Sequence, residues 1–378
     1  MEKTLGLLLM ISLGLLLQRK IRSSDQLAGL KVLILSLALP ATIFVALLNV
    51  ELSENMLLFP VLALAINGLL LGATSLGNRL FPQLDQSRRR TLMMLIPSLA
   101  PGLSCFPFLA EYLGDESVAL AALADVGNKL FVLLLLYLLA MHWYYKFNSQ
   151  KGEANKGKLK QLVMALLGEP INMVMIVALV MLAFGLNLQS LPETASNVIL
   201  RLSSIMAPLI LLFIGLAVKI NKTDFALILQ LLSWRSGLVF LISAGVIAVV
   251  PDLSVPMMLL AIVFPQSSCS FWPFAHMSSV NAMEEGSTKT FDINFALSVL
   301  AISLPFSTIV ILGVFSFQTI VINPIYLSAI GVLLIVLAFI PQLIARFKTP
   351  QVSMSVDSAQ LETQTQEVVV PKALAEAS

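Results

Sequence analysis

The sequence predicts an all-α polytopic membrane protein: an inverted repeat of two five-helix halves with two crossing proline-broken helices, plus one extra C-terminal span. Three observations carry that expectation. Of the 378 residues, 58% are hydrophobic and only 12% charged, about half the roughly 25% charged share of a soluble domain. Apolar runs long enough to cross a ~30 Å hydrocarbon core recur along nearly the whole chain, without the short alternating strands of a transmembrane barrel. The third observation is a segment that occurs twice. Pro101-Gly102-Leu103-Ser104-Cys105-Phe106-Pro107-Phe108 returns as Pro265-Gln266-Ser267-Ser268-Cys269-Ser270-Phe271-Trp272-Pro273-Phe274, with the chain's two cysteines at the same place in both copies.

Eleven spans are expected, at 4–18, 30–48, 57–77, 91–113, 117–141, 161–184, 194–218, 226–250, 255–277, 288–315 and 326–345. The first is short, with Lys3, Arg19 and Lys20 placed to reach the headgroups. Its apolar run resembles a signal-peptide core, but Gln18-Arg19-Lys20 follows with no small-residue cleavage site, so a retained first helix is expected. Spans two and seven carry Pro40 and Pro208, expected to bend them. Spans four and nine carry the repeated segment. Span five holds Asp125, Asn128 and Lys129, and Glu169-Pro170-Ile171-Asn172 sits about two turns into span six. In span eight, Arg235 after Trp234 reads as an interface anchor. His142 and His276 read as interfacial residues near span ends, and the scattered methionines as packing. Span eleven has no counterpart, and the polar tail 349–378 is expected to be disordered. The resulting divisions are 1–145, a basic loop at 146–160, 161–317, the extra span 318–348, and the tail.

Lys and Arg set the orientation. Basic residues follow the odd spans one to seven and span eleven: Arg19, Lys20 and Arg22; Arg79 and Arg88 to Arg90; Lys146, Lys151, Lys156, Lys158 and Lys160; Lys219 and Lys222; Arg346 and Lys348. Alternate loops hold acids or no charge: Glu51 and Glu54; Glu111, Asp115 and Glu116; Glu193; Asp252; and 318–325. The loop after span nine has Lys289 against Glu284 and Glu285. The N-terminus is therefore expected outside and the C-terminus in the cytoplasm of a plasma membrane. The 146–160 lysines enforce this topology, with lipid contact secondary. They also divide the first ten spans into five and five. Because five is odd, the second half starts from the opposite side. Pro40 and Pro208, Pro101 and Pro265, Pro107 and Pro273, and Asp125 and Asp292 are all offset by 164 to 168 positions, as a duplication would leave them.

A proline inside a span frees an earlier carbonyl and removes its own N–H. In lipid those groups must find protein, water or ligand. Two interrupted spans at matching points are a pointer to a transporter's binding site. The candidate substrate-binding residues are Pro101, Gly102, Ser104, Cys105 and Pro107 with Pro265, Gln266, Ser267, Ser268 and Pro273. No charged side chain lies among them, so half-helix N-termini and hydroxyls would receive an anion. The alternative is a pair of kinked structural helices packed through small polar residues. Asp125 and Lys129, four residues apart, share a helix face and can pair. An ionisable residue at a span's centre costs roughly 2.5–3.5 kcal/mol on the insertion scale and usually faces a cavity. Asp125, Asn128 and Lys129 are thus candidates for ion coupling, against a purely structural ion pair. Asp292 and Asn294 are their counterparts, nearer the cytoplasmic end. Glu169 reads as an interfacial glutamate or as the lining of a cytoplasmic entrance.

Leu37-Ala38-Leu39-Pro40-Ala41-Thr42-Ile43-Phe44, Ala207-Pro208-Leu209-Ile210-Leu211-Leu212-Phe213-Ile214-Gly215-Leu216, and Phe106-Pro107-Phe108-Leu109-Ala110-Glu111-Tyr112-Leu113-Gly114 followed by Asp125 and Asn128 occur in a characteristic order. With them the chain resembles the bacterial branch of the auxin efflux carrier family of membrane permeases, over about residues 1–317. The resemblance implies a ten-helix inverted-repeat fold like that of bile acid:sodium symporters, with a transport bundle on a scaffold bundle. It implies organic anions as cargo, among them auxin, malate or malonate. It places Pro101 or Pro107 and Pro265 or Pro273 at the crossover, lined by Ser104, Cys105, Ser267 and Ser268. Where the family often has asparagine at the crossing, this chain has Ser, Cys and Gln, so no single acid is implied.

These readings converge on a secondary transporter for a small organic anion working by alternating access, with a proton or sodium as candidate coupling ion and uniport as the uncoupled form. A non-transporting membrane sensor and an intramembrane enzyme are the rivals. Asp125 and Asp292 would have to form the enzyme's dyad, or a Ser or Cys its nucleophile, yet no His lies mid-span as base. No Gly-x-x-x-x-Gly-Lys-Ser/Thr motif is present. Two cysteines in membrane segments give no disulfide framework and no metal spacing. No cofactor, metal or nucleic-acid partner is expected; a homodimer is the candidate assembly.

Overall fold

The computed structural model describes residues 2–21, 23–49, 58–77, 80–148, 164, 167–217, 224–284 and 289–348. Arg22, Glu51, Glu54, Arg79, the lysines from 151 to 160, Lys219, Lys222, Glu285 and the tail 349–378 lie outside them, as do the side chains of Arg346 and Lys348. The chain divides into two units, Met1–Ala338 and Phe339–Ser378. In the second, the described residues are the end of the last helix.

Described residues form helices and no strand. In chain order they are α1 (Glu2–Leu17), α2 (Ser24–Leu33), α3 (Leu39–Leu48), α4 (Leu58–Gly77), α5 (Gln86–Leu95), α6 (Pro101–Ser104), α7 (Phe106–Tyr112), α8 (Asp115–Leu130), α9 (Leu136–Asn148), α10 (Pro170–Ala183), α11 (Glu193–Ser204), α12 (Met206–Ala217), α13 (Phe225–Val249), α14 (Val255–Val263), α15 (Trp272–Met283), α16 (Ile293–Ser316), α17 (Gln318–Val321) and α18 (Pro324–Lys348). Among the described residues, six helical stretches are long and apolar enough to cross a membrane: Asp25–Leu48, Leu58–Gly77, Asp115–Phe147, Glu193–Ala217, Phe225–Val249 and Ile293–Ser316. The protein is an all-α membrane protein. Leucines and isoleucines exposed along these helices, such as Leu69, Leu76 and Ile309, are the surface that lipid would cover.

Prolines shape the long helices as expected. Pro40 clashes with the turn before it, and residues Ile34–Ala38 widen into a π-helical turn that joins α2 to α3. At Pro208 the helix breaks between Ser204 and Met206. The two irregular points meet, since the Thr42 hydroxyl donates to the Ser203 carbonyl at 3.3 Å. A second π-helical turn, Phe131–Leu135, joins α8 to α9. Elsewhere helices approach closely at small residues, as membrane helices do. A side chain at Gly14 or Gly215 would overlap the backbone of the facing helix, fixing α1 against α12. Gly237 and Gly331 do the same for α13 and α18.

Candidate functional site

Two segments of the chain lose helical form inside the bundle and cross. The helix α5 ends at Leu95, and the chain is unwound over 97–100 before α6 starts at Pro101. The helix α14 ends in a short 3₁₀ turn, Phe264–Gln266, and the chain is extended over 267–270 before α15 starts at Trp272. This corrects the register expected of the two copies. In the first copy the break lies before Pro101, between Pro97 and Pro101; in the second it lies between Pro265 and Pro273. Pro97 lacks the N–H that would continue α5, whereas Pro101 and Pro273 stand in first turns, where a proline costs nothing. Pro107 likewise starts α7 beyond the break. The cysteines are therefore not equivalent. Cys105 is buried at the kink between α6 and α7, and Cys269 lies in the extended crossing.

Every break exposes backbone that lipid cannot satisfy, and serines supply much of the remedy. The Ala100 N–H donates to the Ser268 carbonyl at 2.8 Å. The Ser268 N–H donates to the Ser104 hydroxyl at 2.9 Å and the Ser270 N–H to the Ser98 hydroxyl at 3.1 Å. The Cys269 N–H reaches the Ser303 hydroxyl at 3.3 Å, and the Ser307 hydroxyl donates to the Gln266 carbonyl. Ser98 and Ser267 turn their own hydroxyls back onto the Leu95 and Phe264 carbonyls, each at 2.6 Å. Gln266 pairs with Ser236 through side chain and backbone, at 2.9 and 3.0 Å. Asn128 grips Leu99 from both sides, accepting its N–H at 3.2 Å and donating to its carbonyl at 2.9 Å.

A cavity of about 460 Å³ opens against one face of this crossing. Pro101, Gly102, Ser268, Cys269, Ser270 and Phe271 contribute from the crossing, and Asp125, Asn128 and Lys129 from α8. Asp125 and Lys129 pair as their spacing predicts, at 3.2 Å. Lys129 has a second carboxylate, Glu169 at 2.9 Å, and donates to Asn172 at 3.2 Å. Its three donors are thus fully used. So is Asn128, which also donates to Asp125 at 2.8 Å and accepts from Asn67 at 3.0 Å. Two lining groups have capacity to spare. Lys31 lies over the Phe271 ring at 4.9 Å with no carboxylate beside it among the described residues. The Ser268 hydroxyl makes no hydrogen bond with the described residues. The rest of the wall is mainly apolar, including Leu35, Leu99, Val132, Phe213 and Leu304.

The structure thus brings Pro101, Gly102, Ser268, Asp125, Asn128 and Lys129 to one cavity. Ser104, Cys105, Pro107, Pro265, Gln266, Ser267 and Pro273 stand behind the lining, where they build the crossing instead of facing the cavity. Asp292 and Asn294 lie apart from it. Asp292 caps α16 by accepting the Phe295 N–H at 2.9 Å and pairs with Arg88 at 3.1 Å. Asn294 is exposed on the first turn of α16. Three other expectations are corrected. Glu169 is no interfacial bystander but a cavity residue bound to Lys129. His276 is buried, with Nε2 at 3.0 Å from the Val132 carbonyl and its ring against Tyr137. Arg235, read as an interface anchor, is buried at 2% exposure. Its guanidinium donates to the carbonyls of Ile96 and Ser267 at 2.9 and 2.8 Å. The available signal was its place near the middle of a span, where a cation must find internal partners.

The far end of the bundle is held together by a different set of contacts. Lys3 donates to the Glu111 carbonyl at 3.0 Å, Thr4 pairs with the Tyr112 hydroxyl at 2.7 Å, and Asn49 donates to Asp115 at 3.0 Å. Tyr112 stacks on Phe315 at 4.3 Å. The cavity's Lys31, Glu169 and Ala217 lie at the opposite helix ends. Compared with models of known protein families and with curated proteins, the chain matches none.

Proposed function

We propose that the protein is a secondary transporter for a small organic anion, working by alternating access and coupled to a proton. The observation that carries this reading is the cavity at the crossing, whose lining holds one cation, Lys31, without a carboxylate partner among the described residues. Its position over Phe271 suits a ligand with a carboxylate and an apolar body, and the Ser268 hydroxyl is free to donate. The charges on the wall supply the coupling. With all four groups ionised, Lys31 and Lys129 balance Asp125 and Glu169. One proton on either carboxylate leaves a net positive wall, which an anion then neutralises. Substrate and proton thus favour each other's binding. Proton entry is felt by Lys129, Asn128 and Asn172, the polar groups around the two acids.

In this reading the two halves form an inverted repeat, the N-terminus is outside, the C-terminus is cytoplasmic and the membrane is a bacterial inner membrane. The contacts of Lys3, Thr4 and Asn49 close the outer side, and the cavity opens toward the cytoplasm. Breaking those contacts while Lys129 releases Glu169 would turn the cavity outward. The order of the Pro40, Pro107, Asp125 and Pro208 segments supports membership of the auxin efflux carrier family.

The test is uptake of labelled monocarboxylates and dicarboxylates into proteoliposomes under an imposed pH gradient, for wild type, Lys31→Ala and Ser268→Ala. Gradient-driven uptake whose KM rises in both variants is expected. Binding of an acid without uptake under any gradient would replace this reading with that of a membrane sensor.

A further inference from the structure

Among the described residues, Arg235 has no acidic partner: no carboxylate lies within ion-pair distance of it. Besides Ile96 and Ser267, its guanidinium reaches the Pro265 carbonyl at 3.4 Å. A buried cation without a counter-charge is strongly unfavourable, so these carbonyls must supply one. Their position explains how. Ile96 caps the end of α5, and Pro265 and Ser267 end the turn that follows α14. A helix C-terminus carries roughly half a negative charge. Two such ends meeting at one point amount to about one, which matches a single guanidinium. The crossing is therefore two-sided. Its helix starts, at Pro101 and Trp272, face the cavity, and its helix ends face Arg235.

Carbonyls from unwound helix ends are the oxygen ligands an alkali cation takes in transporters with broken helices. We propose that Arg235 is a tethered cation in that place: it occupies the oxygen cluster between the two breaks, so the crossing binds no sodium or potassium of its own. The inference rests on the crossing's geometry and not on the transport reading. If the transport reading also holds, coupling is left to the Asp125–Lys129–Glu169 cluster, and sodium drives nothing.

The thermal unfolding midpoint of the purified full chain in detergent tests this without transport. Wild type is measured in sodium, potassium and choline chloride at equal ionic strength, and equal midpoints are expected. Arg235→Ala leaves the carbonyls bare and lowers the midpoint. Low-millimolar methylguanidinium, or sodium, should then recover about half the loss or more, as a ligand of the folded state does. Arg235→Lys, which keeps the charge but loses the fork, should fall between wild type and Arg235→Ala. A wild-type midpoint raised by sodium over both potassium and choline would overturn the proposal and needs no variant. So would a folded Arg235→Ala protein indifferent to every added cation. Uptake that fails in all conditions while the midpoints behave as expected would sink the transport reading and leave Arg235's role standing.

Discussion

Two ion clusters in this protein have the same formula and opposite characters. Each holds one cation between two carboxylates: Lys129 between Asp125 and Glu169, and Arg88 between Asp224 and Asp292. The Arg88 cluster is partly solvated, with about a quarter of each side chain exposed. Its planar fork donates to Asp224 at 3.1 and 3.4 Å and to Asp292 at 3.1 Å, and lies over the Phe295 ring at 4.8 Å. Burial works against the Arg88 charge, but the hydrogen bond and charges of Asp292 and Asp224 outweigh it and hold the guanidinium above its ordinary value. An arginine so held keeps its charge at any physiological pH. It ties the start of α5 to the starts of α13 and α16 and gives no switch. The Lys129 cluster is nearly dry at Asp125 and Lys129 and lines a cavity. A lysine is a point charge that can exchange one acceptor for another. The same three charges make a latch where they are forked and wet; where they are compact and nearly dry, they are the proton site of the proposed transporter.

Removing each cation should separate the two most sharply. Lys129→Ala leaves the buried Asp125 and the half-buried Glu169 without their cation, a loss of about 3–5 kcal/mol for a broken buried pair. We expect a large fall in unfolding midpoint and no uptake. Equal destabilisation by Arg88→Ala would erase the distinction. Next in size is Glu169→Gln. It fixes the cavity wall at a net positive charge, so anion binding that weakens as pH rises in wild type should become indifferent to pH. Titrating affinity between about pH 5 and 8 reads this directly. Arg88→Ala should cost about 1–2 kcal/mol and leave the pH dependence of binding intact. The smallest effect belongs to Asp292→Asn. Asparagine caps a helix as well as aspartate, so stability should change by less than about 1 kcal/mol with the proton dependence kept. Loss of proton dependence in Asp292→Asn would show that the two aspartates are functional counterparts after all.

That last contrast marks how far the sequence reaches. The helices were legible because lipid demands long apolar runs, and all eleven expected spans contain described helix. The breaks were legible because paired prolines in one run remove helix hydrogen bonds close together, whereas the single Pro305 leaves α16 continuous. Their register was not. Cys105 and Cys269 suggested an alignment that Pro97, four residues before Pro101, contradicts. A proline that starts a helix and one that ends it look alike in sequence. Asp125 and Lys129 could be paired by spacing along one helix. Glu169, Asn172, Lys31 and Phe271 could not be added, because each comes from another helix and only packing unites them. Lys31 and Glu169 also lie near span starts, where a charged residue ordinarily snorkels to the headgroups.

The most direct test of the central claim is to follow proton and anion entry together in the same proteoliposomes, with a transported acid, in wild type, Asp125→Asn, Glu169→Gln and Asp292→Asn. The account predicts that protons enter with the anion in wild type and Asp292→Asn, and that this coupling disappears in Asp125→Asn and Glu169→Gln. Anion uptake in wild type with no accompanying proton, or coupling that survives in either Asp125→Asn or Glu169→Gln, would contradict it.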